Sequence, residues 1–215
     1  MNAAFERVVR ERSERAGILL TTSQVAQFLQ YYQLLVRWNR TINLTALPLN
    51  DYPASTIDRL LLEPALAAEY VATDALEWID VGSGGGSPAV PLKILRPAAA
   101  LKMVEARERK AAFLREVLRT LGLARSDVVS ARAEQLAESA TAAVADLITM
   151  RAVKPEGSVL LAAARLLRNG GRFLVFASAS SMEPEGKLVR DVGFDFTESA
   201  ALLTPEDRLI ILTRR

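Results

Sequence analysis

At 215 residues, half of them hydrophobic and 24% charged, the chain is long enough for one sizeable core and has the balance of a globular protein. It contains no cysteine and no histidine, which excludes disulfide frameworks, thiolate metal sites, cysteine nucleophiles and the commonest general base; no metal is expected. Its 27 basic residues are mixed with 25 acidic ones, so a formal charge of +2 supplies no overall field for nucleic acid, and any such contact must come from a local patch.

Taken in chain order, the first fifteen residues, with Glu6, Arg7, Arg10, Glu11, Arg12, Glu14 and Arg15, are too charged for a signal peptide. No apolar run reaches the roughly 18 residues of a membrane span, and the expectation is a cytoplasmic protein without membrane association. One helix is predicted near residues 3 to 16. A second is expected after Thr22-Ser23, where a hydroxyl can cap it, with apolar positions at Val25, Phe28, Leu29, Tyr32, Leu35 and Val36. Asn39 to Pro53 reads as a loop, and a further helix runs from about Thr56 to Val71 with Pro64 splitting or kinking it.

From residue 76 short apolar runs alternate with amphipathic stretches: Leu76 to Val81, Leu101 to Val104, Val128 to Ser130, Ala145 to Met150 and Arg172 to Phe176. Strands alternating with helices predict a doubly wound α/β sheet, mostly parallel. Phe113, Leu114, Val117, Leu118 and Leu121 form one face of a helix near 107 to 121, and Gly122 suits its left-handed cap. Phe194 to Ala200 and Leu209 to Thr213, with no helix between them, are expected to be an antiparallel pair. The division predicted is a helical extension with a substrate-side loop over residues 1–72 and a ligand-binding α/β domain over 73–215.

Glycines immediately after a first parallel strand let the backbone approach a ligand where side chains would collide. Gly82-Ser83-Gly84-Gly85-Gly86 stands there, followed by Ser87 and Pro88, which suit the start of the next helix. The third glycine of a dinucleotide fingerprint falls on Ser87, and the Gly-Lys-Ser/Thr ending of a P-loop is missing. Asp80, Gly82, Gly84 and Gly86 instead resemble the D-x-G-x-G-x-G turn of class I S-adenosylmethionine methyltransferases, Rossmann-like proteins. That likeness implies S-adenosylmethionine as cofactor, with Asp80, Gly82, Ser83, Gly84, Gly86 and Ser87 around it. Glu105, at the end of the second strand, is placed to accept both ribose hydroxyls, and a glutamine there would keep one acceptor. Ala133 and Glu134 fall at the adenine, and Arg151, after the fourth strand, is a fixed cation for the methionine carboxylate or the substrate.

Over nearly its whole length the chain resembles the RsmG (GidB) family of bacterial guanine-N7 methyltransferases of small-subunit ribosomal RNA. The resemblance rests on Trp38-Asn39-Arg40-Thr41-Ile42-Asn43-Leu44-Thr45, on Asp80 to Pro88, on Glu105 to Leu114, on Ala131-Arg132-Ala133-Glu134 and on Arg151-Ala152-Val153. It implies a monomer acting on ribosomal RNA or the small ribosomal subunit, with Arg151, Asn39 and Asn43 at the reacting end. A small-molecule methyltransferase and a catalytically impaired cofactor-binding paralogue are the alternatives. Departures from the family pattern are Leu60 for its histidine, Glu63-Pro64 for Asp-Ser, Ser87 after the glycines, and the loss of a Lys-Gly pair after strand five.

Guanine N7 carries an in-plane lone pair and no proton at neutral pH, so its methylation needs no general base. Covalent C5 methylation of cytosine by the usual route needs a cysteine. The Asp/Asn-Pro-Pro-aromatic turn of exocyclic amino methylation is absent from Thr149-Met150-Arg151-Ala152-Val153. Arg107, Arg109, Lys110, Arg37 and Arg40 are candidate phosphate contacts, or with Glu108 and Glu116 a solvated mixed-charge face; Lys154 is the one nearby candidate for a base.

Overall fold

The structure is a computed structural model that describes residues 2–74, 76–140, 143–151, 157–178, 186–204 and 206–215. Lys154 lies outside them, as do Ala179 to Ser181 of the segment where the Lys-Gly pair would stand. Helix α1 (Ala3–Arg15) starts at Asn2, whose side chain accepts from the N–H groups of Ala4 and Phe5. Helix α2 (Thr22–Asn39) is capped by Thr21 and not by the hydroxyls of Thr22 or Ser23. Thr21 Oγ1 accepts from Gln24 N–H while the Gln24 side chain accepts from Thr21 N–H, a reciprocal capping box.

The expected helix over 56 to 71 is in pieces: α3 (Ala54–Ile57), a wide π-helical stretch (Asp58–Leu62), α4 (Glu63–Ala67) and a short 3₁₀ turn (Ala68–Tyr70). Pro64 accounts for the break, because in an α-helix the N–H of residue 64 would serve the Leu60 carbonyl and proline has none. That carbonyl instead accepts from Ser87 Oγ at 2.9 Å.

Strands β1 (Glu77–Val81), β2 (Ala100–Val104), β3 (Ser126–Val129), β4 (Ala145–Arg151), β5 (Leu167–Ser178), β6 (Phe194–Ala201) and β7 (Asp207–Arg214) form one sheet in the order β3-β2-β1-β4-β5-β7-β6. The first five are parallel, and β7 lies antiparallel between β5 and β6, as the helix-free C-terminus predicts. Strand β5 begins at Leu167, five residues before the apolar run suggests, through a register shift against Ala145 and Leu147 of β4. The crossovers carry α5 (Ala89–Leu95), α6 (Glu108–Leu121), α7 (Ala133–Ser139) and α8 (Gly157–Leu166); α9 (Lys187–Asp191) precedes β6. Gly122 ends α6 in the left-handed conformation. Helix α5 begins at Ala89 behind Pro88, and Ser87, given to Leu60, does not cap it.

Side chains alternate across the strands and build two cores. On one face Trp78, Met103 and Leu174 join Phe113 of α6 and the whole N-terminal layer, from Phe5 and Val9 through Phe28, Tyr31, Tyr32 and Leu35 to Leu61. On the other, Ile79, Val81, Ile148 and Phe173 pack against Ala137, Leu160 and Ala163. Residues 3–70 are thus continuous with the core of one sheet face. Among the described residues no helix is long and apolar enough to cross a membrane.

Phe5 is fully buried, with its ring centroid 5.6 Å from that of Tyr32 and 5.3 Å from that of Tyr52. Phe5→Ala opens a cavity in the shared core and should cost about 3–5 kcal/mol. Urea unfolding followed by tryptophan fluorescence and by circular dichroism should give one coincident transition at a lower midpoint. Separate transitions for helix and sheet would mean that the N-terminal layer folds on its own.

Candidate active site

The C-terminal ends of β1, β2 and β4 open into a cavity of about 1060 Å³, the edge at which ligands of open parallel sheets bind. Its floor is the glycine turn. Gly82 and Ser83 donate to the Val104 carbonyl at 2.9 and 3.1 Å, and Gly86 to the Ser83 carbonyl at 2.7 Å. Gly84 has φ +52°, and an added Cβ would meet nothing nearer than the Gly82 carbonyl at 3.6 Å, so its bare backbone faces open cavity. Gly86 serves a different purpose: at φ +92° its missing Cβ would press on Val90 at 3.0 Å and on the Tyr31 ring at 3.2 Å.

Gly82, Ser83, Gly84, Ser87, Glu105, Ala133, Glu134 and Arg151 line the cavity; Asp80, Gly86, Asn39 and Asn43 do not. Glu105 is already bound on both oxygens. Oε2 accepts from Gly84 N–H at 2.9 Å and Oε1 from Arg107 N–H at 2.8 Å, which leaves lone pairs for ribose hydroxyls but makes the carboxylate a strut between the turn and the start of α6. Glu134 accepts from Ser158 Oγ at 3.1 Å.

Asp80 is buried under the turn. Its Oδ1 accepts from the Thr149 hydroxyl, which itself accepts from Trp78 Nε1 at 2.9 Å, while Oδ2 has no partner among the described residues. Burial pushes its pKa up to about 6 against the Thr149 bond.

Asn39 works within the loop that follows α2: Oδ1 accepts from Leu44 and Thr45 N–H at 2.8 and 3.0 Å, and Nδ2 donates to the Thr45 carbonyl at 3.1 Å. This fixes Leu44, Thr45, Ala46 and Leu47 as a cavity wall, whereas Asn43 is exposed. Trp38 Nε1 donates to Glu116 of α6 at 2.9 Å, and Arg37 pairs with the same carboxylate. Of the candidate phosphate contacts, Arg37 is thus paired with Glu116, while Arg107 and Lys110 line the cavity together with Arg132.

Sequence reasoning missed Tyr31, whose hydroxyl donates to the Gly85 carbonyl at 2.6 Å. Its buried position in α2 marks it only as core, since periodicity registers burial and not the partner of a hydroxyl. Burial of that phenol raises its pKa. Arg59 and Leu60 also line the cavity, and Glu63 carries Arg151: Nη2 of Arg151 is 2.8 Å from Glu63 Oε2, and its Nη1 donates to the Arg59 carbonyl. The open glycine face, the Glu105 carboxylate and a cavity of this size fit a nucleoside ligand such as S-adenosylmethionine.

The sequence model of the family described as "GidB: rRNA small subunit methyltransferase G" matches residues 24–193. A Xanthomonas axonopodis pv. citri protein named ribosomal RNA small subunit methyltransferase G is 39% identical over 174 residues, covering 81% of this chain and 76% of its own length. A Geobacillus kaustophilus protein of the same name is 33% identical over 207 residues, covering 94% and 84%. Among solved structures, a SAM-dependent methyltransferase from Aquifex aeolicus superposes with a TM-score of 0.60 at 13% identity, over 75% of this chain and 93% of that one. The precorrin-6y C5,15-methyltransferase of Geobacter metallireducens gives 0.58 at 17%, over 71% and 87%. These two likenesses establish the class I methyltransferase fold.

Because Glu105 holds two backbone donors as well as facing the cavity, Glu105→Ala should weaken S-adenosylhomocysteine binding roughly tenfold to a hundredfold. Glu105→Gln should lose nearly as much, contrary to the single-acceptor expectation, since its NH₂ would oppose one of the two N–H groups. Calorimetric titration checks this, and wild-type affinity in both variants would remove Glu105 from the site.

Asp80 has a second, pH-dependent consequence. Its folded pKa of about 6 lies above the ordinary 3.8, so between those values the folded state binds more proton than the unfolded one and stability falls as pH rises. The difference in unfolding free energy between wild type and Asp80→Asn should decrease from about pH 4 to pH 6 and flatten above. A difference that rises with pH across that window would contradict it.

Proposed function

The chain belongs to the GidB family of small-subunit ribosomal RNA methyltransferases, and from that premise we propose that it transfers a methyl group from S-adenosylmethionine to guanine N7 in small-subunit ribosomal RNA. The observation that carries the choice of atom is that, among the described residues, no carboxylate lining the cavity is without a hydrogen-bond partner. Both acids that line it are engaged, Glu105 by two backbone N–H groups and Glu134 by Ser158, and the chain has neither histidine nor cysteine. An in-plane lone pair needs no proton removed, whereas a 2′-hydroxyl acceptor does.

When bound, S-adenosylmethionine supplies an electrophilic methyl on a sulfonium centre. The rest of the work is alignment and exclusion of water. The backbone of Gly82 to Gly85 receives the ligand without side-chain obstruction, Glu105 takes the ribose hydroxyls, and Ala133 with Glu134 borders the adenine. Leu44, Leu47 and Leu60 supply the apolar wall, and Arg151 lies at the end where the acceptor base enters. Asn39 positions that wall through the loop it bonds, without touching the reacting atoms. The cations at the mouth, Arg107, Lys110 and Arg132, meet phosphates flanking the target base. We place the reaction in the cytoplasm and assign it to a monomer, with residues 1–72 as the substrate-side layer and 73–215 as the cofactor-binding domain.

Small ribosomal subunits from a strain lacking its own guanine-N7 enzyme, incubated with the protein and methyl-labelled cofactor, should take up about one methyl per subunit. Borohydride and aniline treatment should cleave the RNA at a single 7-methylguanosine. Label confined to small molecules, or RNA labelled but resistant to cleavage, would overturn the assignment.

A further inference from the structure

Four charged side chains converge at the end of the cavity formed by the π-helical stretch, β4 and β7. Arg151 and Glu63, with side chains 7% and 0% exposed, approach to 2.8 Å. Arg59 Nη1 lies 3.4 Å from the same Glu63 oxygen and also pairs with Asp207, which accepts from Thr204 Oγ1 at 2.7 Å. The Arg151 guanidinium carbon sits 4.5 Å from the centre of the Phe176 ring. Two cations and two anions sum to zero. Two members remain incompletely bonded: Glu63 Oε1 and Arg151 Nε are buried and have no partner among the described residues.

A buried ion pair is a poor route to stability, because desolvation offsets most of its attraction and apolar replacements of similar volume often do as well. Burial lowers the Arg151 pKa to about 10 against the pull of Glu63, which leaves the guanidinium charged at neutral pH. Arg59 and Arg151 line the same cavity as the glycine turn. An uncompensated guanidinium there would raise the potential where a sulfonium must bind, at low effective dielectric. N7 methylation moves that positive charge from sulfur to the purine and does not remove it, so the same potential would oppose both cofactor and product.

We propose that Glu63 is a charge-compensating positioning residue: it fixes the Arg151 guanidinium as a donor in the cavity while cancelling its charge, so that the cavity accepts a sulfonium. The role rests on the cofactor and not on the RNA substrate. It differs from the clamp on the methionine carboxylate or the substrate expected for Arg151 from the sequence, since Nη1 and Nη2 each already spend one of their two N–H groups on a protein acceptor and the charge is shared with Glu63.

S-adenosylmethionine and S-adenosylhomocysteine differ at the sulfur by the methyl and one positive charge, so the ratio of their affinities measures the potential directly. Glu63→Gln keeps the shape and removes the anion; calorimetry should show S-adenosylmethionine weakened roughly fivefold to fiftyfold relative to S-adenosylhomocysteine. Arg151→Gln leaves the cluster with one anion in excess and should shift the ratio the opposite way, which keeps the test decisive if Glu63→Gln does not fold. The double variant should restore the wild-type ratio. A ratio unchanged in the folded single variants would overturn the proposal, as would both ligands strengthening together in Glu63→Gln, the mark of a guanidinium freed to clamp a carboxylate common to both. A failed RNA methylation assay with these ratios as expected would count against the substrate and not against Glu63.

Discussion

A turn with positive φ at Gly82, Gly84 and Gly86 has the backbone freedom to approach a ligand closely, and for the same reason cannot hold its own shape. Everything else at the site is arranged around that constraint. From the sheet side the Val104 carbonyl takes two of its N–H groups, and Glu105 takes a third. From the other side Tyr31 reaches out of α2 to the Gly85 carbonyl and lays its ring against Gly86. The turn is therefore clamped between the end of β2 and the N-terminal helices, with Gly82 to Gly85 lining the cavity and the Gly84 face open to it.

This explains why the N-terminal layer shares a core with the sheet. Helix α2 contributes Tyr31 beneath the turn and Asn39 at the head of the cavity wall, with Arg37 and Trp38 tying its last turn to Glu116 of α6. Loosening α2 would relax the glycine turn and displace Leu44 to Leu47 together. The Trp-Asn-x-x-x-Asn-Leu-Thr segment, which a generic methyltransferase sheet does not require, then has a physical use in its first asparagine. That side chain makes three backbone bonds, while Asn43, exposed and outside the cavity, makes none of them.

What could be read from the residues follows from which interactions are local. The strand and helix alternation, the C-terminal antiparallel pair and the Gly122 cap all depend on short-range pattern, and each is present in the structure. Glu105, Ala133 and Arg151 were findable as cavity-lining residues because they stand at or shortly after the ends of strands whose C-terminal edge must carry the ligand. Tyr31 and Glu63 were not, since their partners lie 54 and 88 positions away and nothing local distinguishes a buried tyrosine with a hydroxyl partner from one without. The cap was expected at Thr22 or Ser23 and not at Thr21 because three consecutive hydroxyl-bearing residues compete for it, and only the reciprocal bond to Gln24 selects among them.

The departures from the family pattern at Leu60, Glu63-Pro64 and Ser87, which look independent along the chain, meet in space. Pro64 deprives the Leu60 carbonyl of its helical donor, and Ser87 supplies one across 27 positions. A buried carbonyl left without either donor would cost about 1–3 kcal/mol, so the proline and the serine are physically a pair. Replacing Ser87 by an apolar residue alone would take that side-chain donor away, and a serine at 64 alone would offer the carbonyl a backbone donor beside it. Glu63, beside the proline, lies at the same junction of π-helical stretch and glycine turn, and its carboxylate engages both Arg59 and Arg151. Leu60 lines the cavity with an apolar side chain, adding no charge where a histidine would titrate near neutrality. These positions thus share one effect: at the cavity end next to β4 the charges of Arg59 and Arg151 are met by those of Glu63 and Asp207.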